Sequence, residues 1–307
     1  MTGAALVDQL FADVQHRHPR SLSGLLEART LAPEAFDRIA GTYLDWYVRA
    51  RGIGALPAAV DAFARFCSDV NLAQGRYELI GEYEARSFEE CLESVYGHAE
   101  TMTDYLWGVY LSNFLWAHHL DLVLFFEQRF LPRLQPRDHL VEIAPGHGGW
   151  GLWALHGYPG LSLRGFDISP TSLAVASTLS LAAGLESRAR YEVCNALDLC
   201  DQPSPQAQAC ICCFLIEHLE HPARLVQVLS HVLVPGGLVF FTGALTAAQA
   251  DHIYEFRAES EFVLLAERAG FRVLDTRSVA PARQLAKARF LPRSMALVLQ
   301  KKTHEWW

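Results

Sequence analysis

The stretch that decides the fold is residues 139–155, HLVEIAPGHGGWGLWAL, where a short apolar run leads into a cluster of glycines and then two tryptophans. The run HLVEIA predicts a buried strand, and the glycines after it predict a tight turn into a helix. In doubly wound sheets such a turn lets backbone N–H groups approach a ligand closely at the carboxyl end of the first strand. The stretch therefore predicts a ligand site between a strand and a helix.

Around this stretch, residues 137–307 alternate between short β-rich runs and longer helical runs. The alternation predicts an α/β fold, a Rossmann-like, doubly wound, seven-stranded and mostly parallel sheet with helices on both faces. The seven predicted strands are HLVEIA, LSLRGFD, RYEVCNA, ACICCFLI, GLVFFTGA, FRVLDTRSV and MALVLQK. In residues 1–136 the apolar positions recur at helical spacing, which predicts an all-helical N-terminal cap domain that ends near Pro132 and Pro136.

Composition limits the class of protein and its partners. The 307 residues are 51% hydrophobic, enough for a sizeable core, and the net charge of -8 argues against nucleic acid as a partner. No apolar run approaches the roughly 18 residues of a membrane span, so we expect no membrane association and a cytoplasmic location. The seven cysteines suit a reducing compartment. Three of them form CICC inside an apolar run, and we expect core packing there rather than a zinc site.

The glycine cluster has a specific resemblance. EIAPGHGGWG resembles motif I of the class I S-adenosylmethionine-dependent methyltransferases, an acidic residue followed by small-x-Gly-x-Gly. The strand end LRGFD, the run CNALDL, the loop FLIEHLEHP and the turn LVPGGLVFF resemble the later motifs of that superfamily, in order, over about residues 140–301. The resemblance implies S-adenosylmethionine as cofactor, held by Glu142, Ala144, Gly146, Gly148, Trp150, Asp167, Ile168, Asn195, Ala196, Leu197 and Asp198.

Several of these positions carry alternatives. Ala144 replaces the commonest first glycine of the motif, so we expect its φ to be negative. Asp167 either receives the ribose or forms an Asx turn, and Asp198 either contacts the adenine amino group or caps a helix. We expect His147 to be a solvent-facing turn residue. The Trp150 ring either lies over the sulfonium or pads the interface with the cap.

The acceptor side is less specified by the sequence. Residues 101–121, TMTDYLWGVYLSNFLWAHHLD, predict one helix between the cap and the nucleotide domain, which either faces the substrate or is packed in the core. Glu217, His218, Glu220 and His221 are either possible metal ligands or a loop pattern without a catalytic role; no metal is assigned. The catalytic candidates are Tyr110, Asn113 and His218, and the substrate-binding candidates are Tyr105, Tyr110, Asn113, Glu217 and Tyr254.

The sequence leads first to a small-molecule methyltransferase of specialised metabolism, monomeric or homodimeric, with the helical part as lid. A second hypothesis makes S-adenosylmethionine the substrate itself, cyclised to azetidine-2-carboxylate with release of methylthioadenosine, which needs aromatic faces near the sulfonium. A third is a non-catalytic cofactor-binding subunit. The tail KKTHEWW either packs on the body or mediates a dimer contact.

Overall fold

The structure is a computed structural model that describes residues 1–92, 99–282 and 287–303, so the Trp306–Trp307 tail lies outside the described residues. The N-terminal part is helical, as the periodicity predicts. Its helices are α1 (Gly3–Arg17), α2 (Leu22–Leu31), α3 (Pro33–Arg51), α4 (Leu56–Ile80), α5 (Phe88–Cys91), α6 (Ala99–Leu115) and α7 (Ala117–Phe125). A π-helical turn, Phe126–Phe130, and a 3-10 turn, Leu131–Arg133, lead from α7 into the sheet.

The remainder forms the predicted seven-stranded sheet. Its strands are β1 (His139–Ile143), β2 (Ser162–Asp167), β3 (Ala189–Val193), β4 (Ala207–Cys212), β5 (Leu233–Leu245), β6 (Phe271–Val279) and β7 (Arg293–Lys301). They lie in the order β3-β2-β1-β4-β5-β7-β6, and only β7 runs antiparallel to its neighbours. The helices that accompany them are α8 (Gly149–Gly157), α9 (Pro170–Ala182), α10 (Pro222–His231) and α11 (Glu259–Arg268). The strand order reverses between β1 and β4, which is where doubly wound sheets bind ligands.

The N-terminal helices and the sheet share one hydrophobic cluster. Tyr43 of α3 and Phe114 of α6 belong to the same buried cluster as Trp153 of α8 and Phe240 of β5. The Tyr43 and Trp153 ring centroids are 5.4 Å apart, and the Tyr43 hydroxyl donates to the carbonyl of Gly149 at 3.1 Å. The helical part is therefore built directly onto the start of α8, and the division at residues 136 and 137 stays a prediction.

The prediction of one helix over residues 101–121 is wrong. Helix α6 ends at Leu115, and Trp116 adopts an extended conformation with φ −96° and ψ 122° before α7 begins. The Trp116 ring stacks on Phe66 of α4 at 5.1 Å and on His118 at 5.2 Å, so it packs sideways at the break. The break places Trp116, His118 and His119 beside a cavity.

The CICC run packs as a core strand, as predicted. Cys210 and Cys212 of β4 are fully buried and form no disulfide. Cys213 follows the strand and lines the cavity. Burial raises the pKa of all three thiols, which makes them unreactive as thiolate ligands.

Candidate active site

A cavity of about 890 Å³ lies where the N-terminal helices cover the carboxyl ends of the central strands. Its wall includes Glu142, Gly146 and Asp167 at the first turns of the sheet and Glu217 and His218 after β4. It continues to Arg20 and Ser21 near α2 and to Gln74 and Glu78 of α4. The wall is predominantly apolar with a few convergent polar groups, which is the usual composition of a small-molecule site.

The glycine turn connects β1 to α8 in a left-handed conformation. Gly146 has φ 54° and Gly148 has φ 74°, where glycine is favoured. Gly148 is the N-cap of α8 and its N–H donates to the carbonyl of Pro145 at 2.7 Å, so it shapes the turn and does not itself line the cavity. Ala144 has φ 50°, so the expectation of a negative φ is wrong. A left-handed alanine costs roughly 1–2 kcal/mol, a strain typical of functional turns.

Glu142 places a partly satisfied carboxyl group in the cavity wall. The side chain is 2% exposed; its Oε1 accepts from the N–H of Gly151 at 3.1 Å, and its Oε2 has no hydrogen-bond partner among the described residues. Burial raises the pKa of this carboxyl to about 8. An unsatisfied buried carboxyl oxygen beside a glycine turn fits a ligand that brings a hydrogen-bond donor or a positive charge.

Asp167 ends β2 and holds two backbone segments together. Its Oδ1 accepts from the N–H of Ser169 at 2.8 Å, which is the Asx turn foreseen as one alternative, and its Oδ2 accepts from the N–H of Gly146 at 3.1 Å. Burial raises the pKa of Asp167, although these backbone hydrogen bonds lower it. Asp167 and the half-exposed Ile168 both line the cavity, so the Asx turn leaves the ribose prediction open.

The loop after β3 lies at the cavity through three of its four predicted residues. Asn195, Ala196 and Leu197 line the wall, and the side chain of Asn195 caps the following turn by accepting from the N–H of Leu197 at 3.0 Å. Asp198 is exposed in the first turn of that 3-10 helix and does not line the cavity. The predicted contact of Asp198 with adenine therefore does not match its position, because the 3-10 turn points its side chain to solvent.

His147 is a buried residue, and the prediction of a solvent-facing turn is wrong. The residue is only 3% exposed. Its Nδ1 accepts a hydrogen bond from the N–H of Gly149 at 2.9 Å, and its ring packs edge-on against the ring of Tyr110, with centroids 5.2 Å apart. Burial lowers the pKa of His147 to about 3, so the ring is neutral. Nε2 lies 3.3 Å from Nδ2 of Asn113, so His147 connects the glycine turn to α6.

Helix α6 contributes two of its three predicted residues to the cavity. Tyr105 and Asn113 line the wall. Tyr110 is fully buried away from the cavity, and its hydroxyl donates to the carbonyl of Tyr43 at 2.8 Å. The predicted catalytic and substrate-binding role of Tyr110 is therefore not supported by its position, since its one polar group is already used in the core. Burial and the charges of Asp251 and Glu217 raise the pKa of Tyr105.

The loop after β4 brings Glu217 and His218 to the cavity, while their catalytic and substrate-binding roles stay predictions. Glu217 is fully buried with neither carboxyl oxygen partnered among the described residues, and burial raises its pKa to about 7. His218 Nδ1 lies 2.9 Å from the carbonyl of Asp251. Tyr254 is 36% exposed, packs on Phe256 and does not line the cavity, so its predicted contact with substrate does not match its position.

Trp150 packs in the interface between the N-terminal helical part and the sheet. Its ring packs edge-on against Phe126 at 5.4 Å and lies 5.5 Å from the ring of Phe240 in β5. The residue also lines the cavity, although it is only 5% exposed. Of the two alternatives for this ring, the packing contacts support the interface role.

The sequence reasoning found only Tyr105 of an aromatic wall that lines the cavity. This wall consists of Phe66, Tyr105, Trp116, His118, His119 and Phe214. Phe214 stacks on His119 at 5.1 Å. Burial lowers the pKa of His118 to about 4 and that of His119 well below its usual value, so both rings are neutral at physiological pH. His252 was also missed, because no sequence spacing connects it with Glu217 and His218, which it meets in space.

These features fit a sulfonium nucleoside with an amino-acid tail: an unsatisfied buried carboxyl oxygen, a left-handed glycine turn and a second acid between two strands. Residues 140–237 match the family described as "Methyltransferase domain". Residues 140–237, about a third of the chain, therefore form a methyltransferase domain of the class I S-adenosylmethionine-dependent type. S-adenosylmethionine is therefore the cofactor that its nucleotide site is built for, as the resemblance implied.

Individual members of the superfamily are only distantly similar to this chain. A ubiquinone biosynthesis O-methyltransferase of Leptothrix cholodnii is 30% identical over 105 residues, which are 34% of this chain and 44% of that relative. An O-methyltransferase family protein of Burkholderia thailandensis matches in structure with a TM-score of 0.55 and 15% identity, over 81% of this chain and 73% of that one. The structure of Haemonchus contortus phosphoethanolamine N-methyltransferase 2, in complex with S-adenosyl-L-methionine, matches with a TM-score of 0.52 and 16% identity, over 72% of this chain and 61% of that one.

The matching segment spans less than half the length of the Leptothrix relative. The matches therefore characterise the nucleotide-binding part of the chain and leave its acceptor open. Among the described residues, no helix is long and apolar enough to cross a membrane.

Proposed function

We propose that this protein transfers a methyl group from S-adenosylmethionine to a small molecule bound in the same cavity. The observation that carries this proposal is the extent of the cavity, about 890 Å³, from the glycine turn to α2 and α4. S-adenosylmethionine has about 27 non-hydrogen atoms and fills roughly 450 Å³ at the packing density of protein interiors. About half of the cavity is then left for an acceptor.

The cofactor is assigned to the part of the wall formed by the sheet. The amino-acid tail is assigned to Glu142, whose Oε2 is unpartnered, and to the backbone of Gly146. Asp167 and Ile168 are assigned to the ribose, and the loop of residues 195–197 to the adenine ring. When bound, S-adenosylmethionine supplies an electrophilic methyl group on its sulfonium.

The acceptor is assigned to the aromatic wall. Its rings are neutral, including both imidazoles, so they favour a partly apolar or aromatic molecule and exclude water from the reacting atoms. Polar groups beside this wall, Tyr105, Asn113, Glu217 and His218, are the candidates to orient the nucleophilic atom of the acceptor. Methyl transfer depends mainly on such positioning, since alignment of two bound reactants alone lowers the barrier substantially.

The alternative in which S-adenosylmethionine is the only substrate uses the same site differently. Cyclisation to azetidine-2-carboxylate requires no acceptor space, so the additional volume favours methyl transfer over it. A non-catalytic cofactor-binding role likewise gives no reason for a cavity that reaches α2 and α4. A place in specialised metabolism stays a prediction of the sequence.

The test is a product assay with methyl-labelled S-adenosylmethionine and a panel of small phenols, amines and carboxylic acids. Phenols belong in the panel because the curated relatives include an O-methyltransferase. The proposal predicts labelled product and S-adenosylhomocysteine in equal amounts with at least one acceptor class, and loss of both in Asp167→Ala. Bound cofactor without transfer to any acceptor class, together with release of methylthioadenosine, would support cyclisation instead.

A further inference from the structure

Glu217, His218 and His252 meet at one place in the cavity wall. Each is buried and lines the cavity, and one donor atom from each lies within 4.8 Å of the others. The two imidazole rings are perpendicular, at 87°, with centroids 4.8 Å apart. We call these three residues the Glu-His-His cluster. Two imidazoles and one carboxylate make up a common ligand set for catalytic transition metals.

The backbone of Glu217 is held in place, and its side-chain carboxylate is unsatisfied. The carbonyl of Glu217 accepts from the N–H groups of Ile253 at 2.8 Å and Tyr254 at 3.0 Å, which anchors it beside His252. Both of its side-chain oxygens are buried without a hydrogen-bond partner among the described residues. A buried carboxylate without a hydrogen-bond partner is unfavourable in its charged form, so a cation or a donor brought by a ligand would stabilise it here.

Both imidazoles are oriented by backbone carbonyls. His218 Nδ1 lies 2.9 Å from the carbonyl of Asp251, and His252 Nδ1 lies 2.7 Å from the carbonyl of Ala247. A carbonyl only accepts, so each Nδ1 carries a proton, and in the neutral form of each ring the lone pair is on Nε2. This is the arrangement by which proteins hold metal-binding histidines, with the second nitrogen donating to a carbonyl or carboxylate. Asp251 adds such a carboxylate, 3.4 Å from His218 Nδ1.

We propose that the Glu-His-His cluster binds one divalent transition-metal ion, of the zinc, iron(II) or cobalt(II) type, with open coordination positions towards the cavity. Nitrogen-rich ligand sets favour these ions over magnesium and calcium, which prefer oxygen ligands. Metal–ligand bonds of about 2.1 Å in a tetrahedral site put the ligand atoms roughly 3.4 Å apart, so the side chains would have to move together by about 1 Å from their present spacing of up to 4.8 Å. The inference goes beyond the proposed function, and it does not depend on methyl transfer.

Two neighbours that the sequence offered as ligands lie outside this cluster. Glu220 accepts through Oε1 from the N–H of Phe88 at 3.0 Å, and His221 is exposed. Open positions on the ion would let it take an oxygen atom of a molecule in the cavity, such as a phenolate or carboxylate. The metal would then serve to hold the acceptor near the cofactor.

Cobalt(II) is the probe, because its visible absorption reports coordination directly. The full-length protein is stripped with a chelator and titrated with Co²⁺ without S-adenosylmethionine, following absorption and binding heat. We expect one equivalent bound, with weakening of more than about 100-fold in Glu217→Gln and in His252→Gln. Two matched controls, Glu220→Gln in the same loop and His16→Gln on exposed α1, should retain wild-type binding.

Folding is checked by the melting temperature of each stripped variant. Glu217→Gln removes an unpartnered buried carboxylate, so it should fold and melt at or above the wild-type temperature while no longer responding to Co²⁺. No stoichiometric binding by the wild type, or equal binding by all four variants, would overturn the proposal. Co²⁺ binding by a protein that methylates no acceptor would overturn the proposed function and leave the metal site standing.

Discussion

Glu142 and Gly151 meet where β1 and α8 pack behind the glycine turn. The N–H of Gly151 donates to Oε1 of Glu142 at 3.1 Å, and a Cβ on Gly151 would lie 2.3 Å from Oε2 of the same carboxyl. The contact closes the base of the turn and fixes the carboxyl group in the cavity wall. Position 151 is thereby restricted to glycine, because any larger residue displaces Glu142 or Leu163, whose Cδ2 would be 2.5 Å away.

Gly151→Ala should therefore be destabilising. The added methyl group overpacks a full site, so we expect a loss of about 1–3 kcal/mol in the free energy of unfolding, with weaker S-adenosylmethionine binding. Gly157→Ala, in the last position of the same helix, is the matched control, since a Cβ there meets nothing within 4 Å. Chemical denaturation of both variants checks this, and equal stability of the two would contradict it.

The buried Glu142 carboxyl should make stability depend on pH. Its pKa of about 8 in the folded chain lies above the ordinary 4.5, so folding takes up a proton between these values. Its contribution to stability is therefore complete below about pH 4.5 and is lost as the pH rises to about 8. As the pH rises from about 5 to about 8, the free energy of unfolding of Glu142→Gln should increase by roughly 2–5 kcal/mol relative to that of the wild type.

The measurement for this pH effect is the free energy of unfolding of the cofactor-free protein at several pH values. Glu186→Gln on an exposed loop is the control, and it should run parallel to wild type throughout. A constant difference between Glu142→Gln and wild type over that range would show that the carboxyl is ionised in the folded protein at all these pH values.

Replacing Ala144, which has a left-handed backbone conformation, by glycine should stabilise the folded protein. Because φ is 50° there, Ala144→Gly should raise the free energy of unfolding by about 0.5–1 kcal/mol, the relieved strain exceeding the entropy of the added glycine. Ala174→Gly, on the exposed face of α9, removes the same methyl group from a helix and should instead lower it by about 1 kcal/mol. Thermal melting of both variants measures the two changes in stability. If both glycine substitutions raised the stability, or both lowered it, the strained conformation of Ala144 would be contradicted.

Substitutions of Asp167 and of Asp198 should have different effects on the affinity for the cofactor. Asp167→Ala removes the predicted ribose acceptor and the hydrogen bond from Gly146, so the dissociation constant for S-adenosylmethionine should rise about 10- to 100-fold. Asp198→Ala changes an exposed residue outside the cavity wall and should leave it unchanged. Calorimetric titration of both variants is the check; a larger effect for Asp198 would restore the adenine contact that the sequence predicted.

The sheet was predictable because its evidence is local. Each strand is a short β-rich run, and the run from Glu142 to Gly148 with Asp167 one strand later carries the cofactor motif in the letters themselves. The same local reasoning singled out Glu217 and His218; both line the cavity, and their roles stay predictions.

The errors come from long-range packing. No proline or glycine signals the helix break at Trp116. At this break the ring of Trp116 stacks on Phe66 of α4, a contact that the local sequence does not show. A histidine between glycines resembles an exposed turn, and only the packing of α6 buries His147. Tyr110 and Tyr105 differ by little more than a turn of helix, yet only Tyr105 reaches the cavity.

The most direct test of the account is to incubate the protein with S-adenosylmethionine alone and identify every nucleoside released. The account predicts that the cofactor binds and stays intact until an acceptor is added, after which S-adenosylhomocysteine appears in step with methylated product. Acceptor-independent release of methylthioadenosine at a catalytic rate would contradict methyl transfer as the function of this cavity.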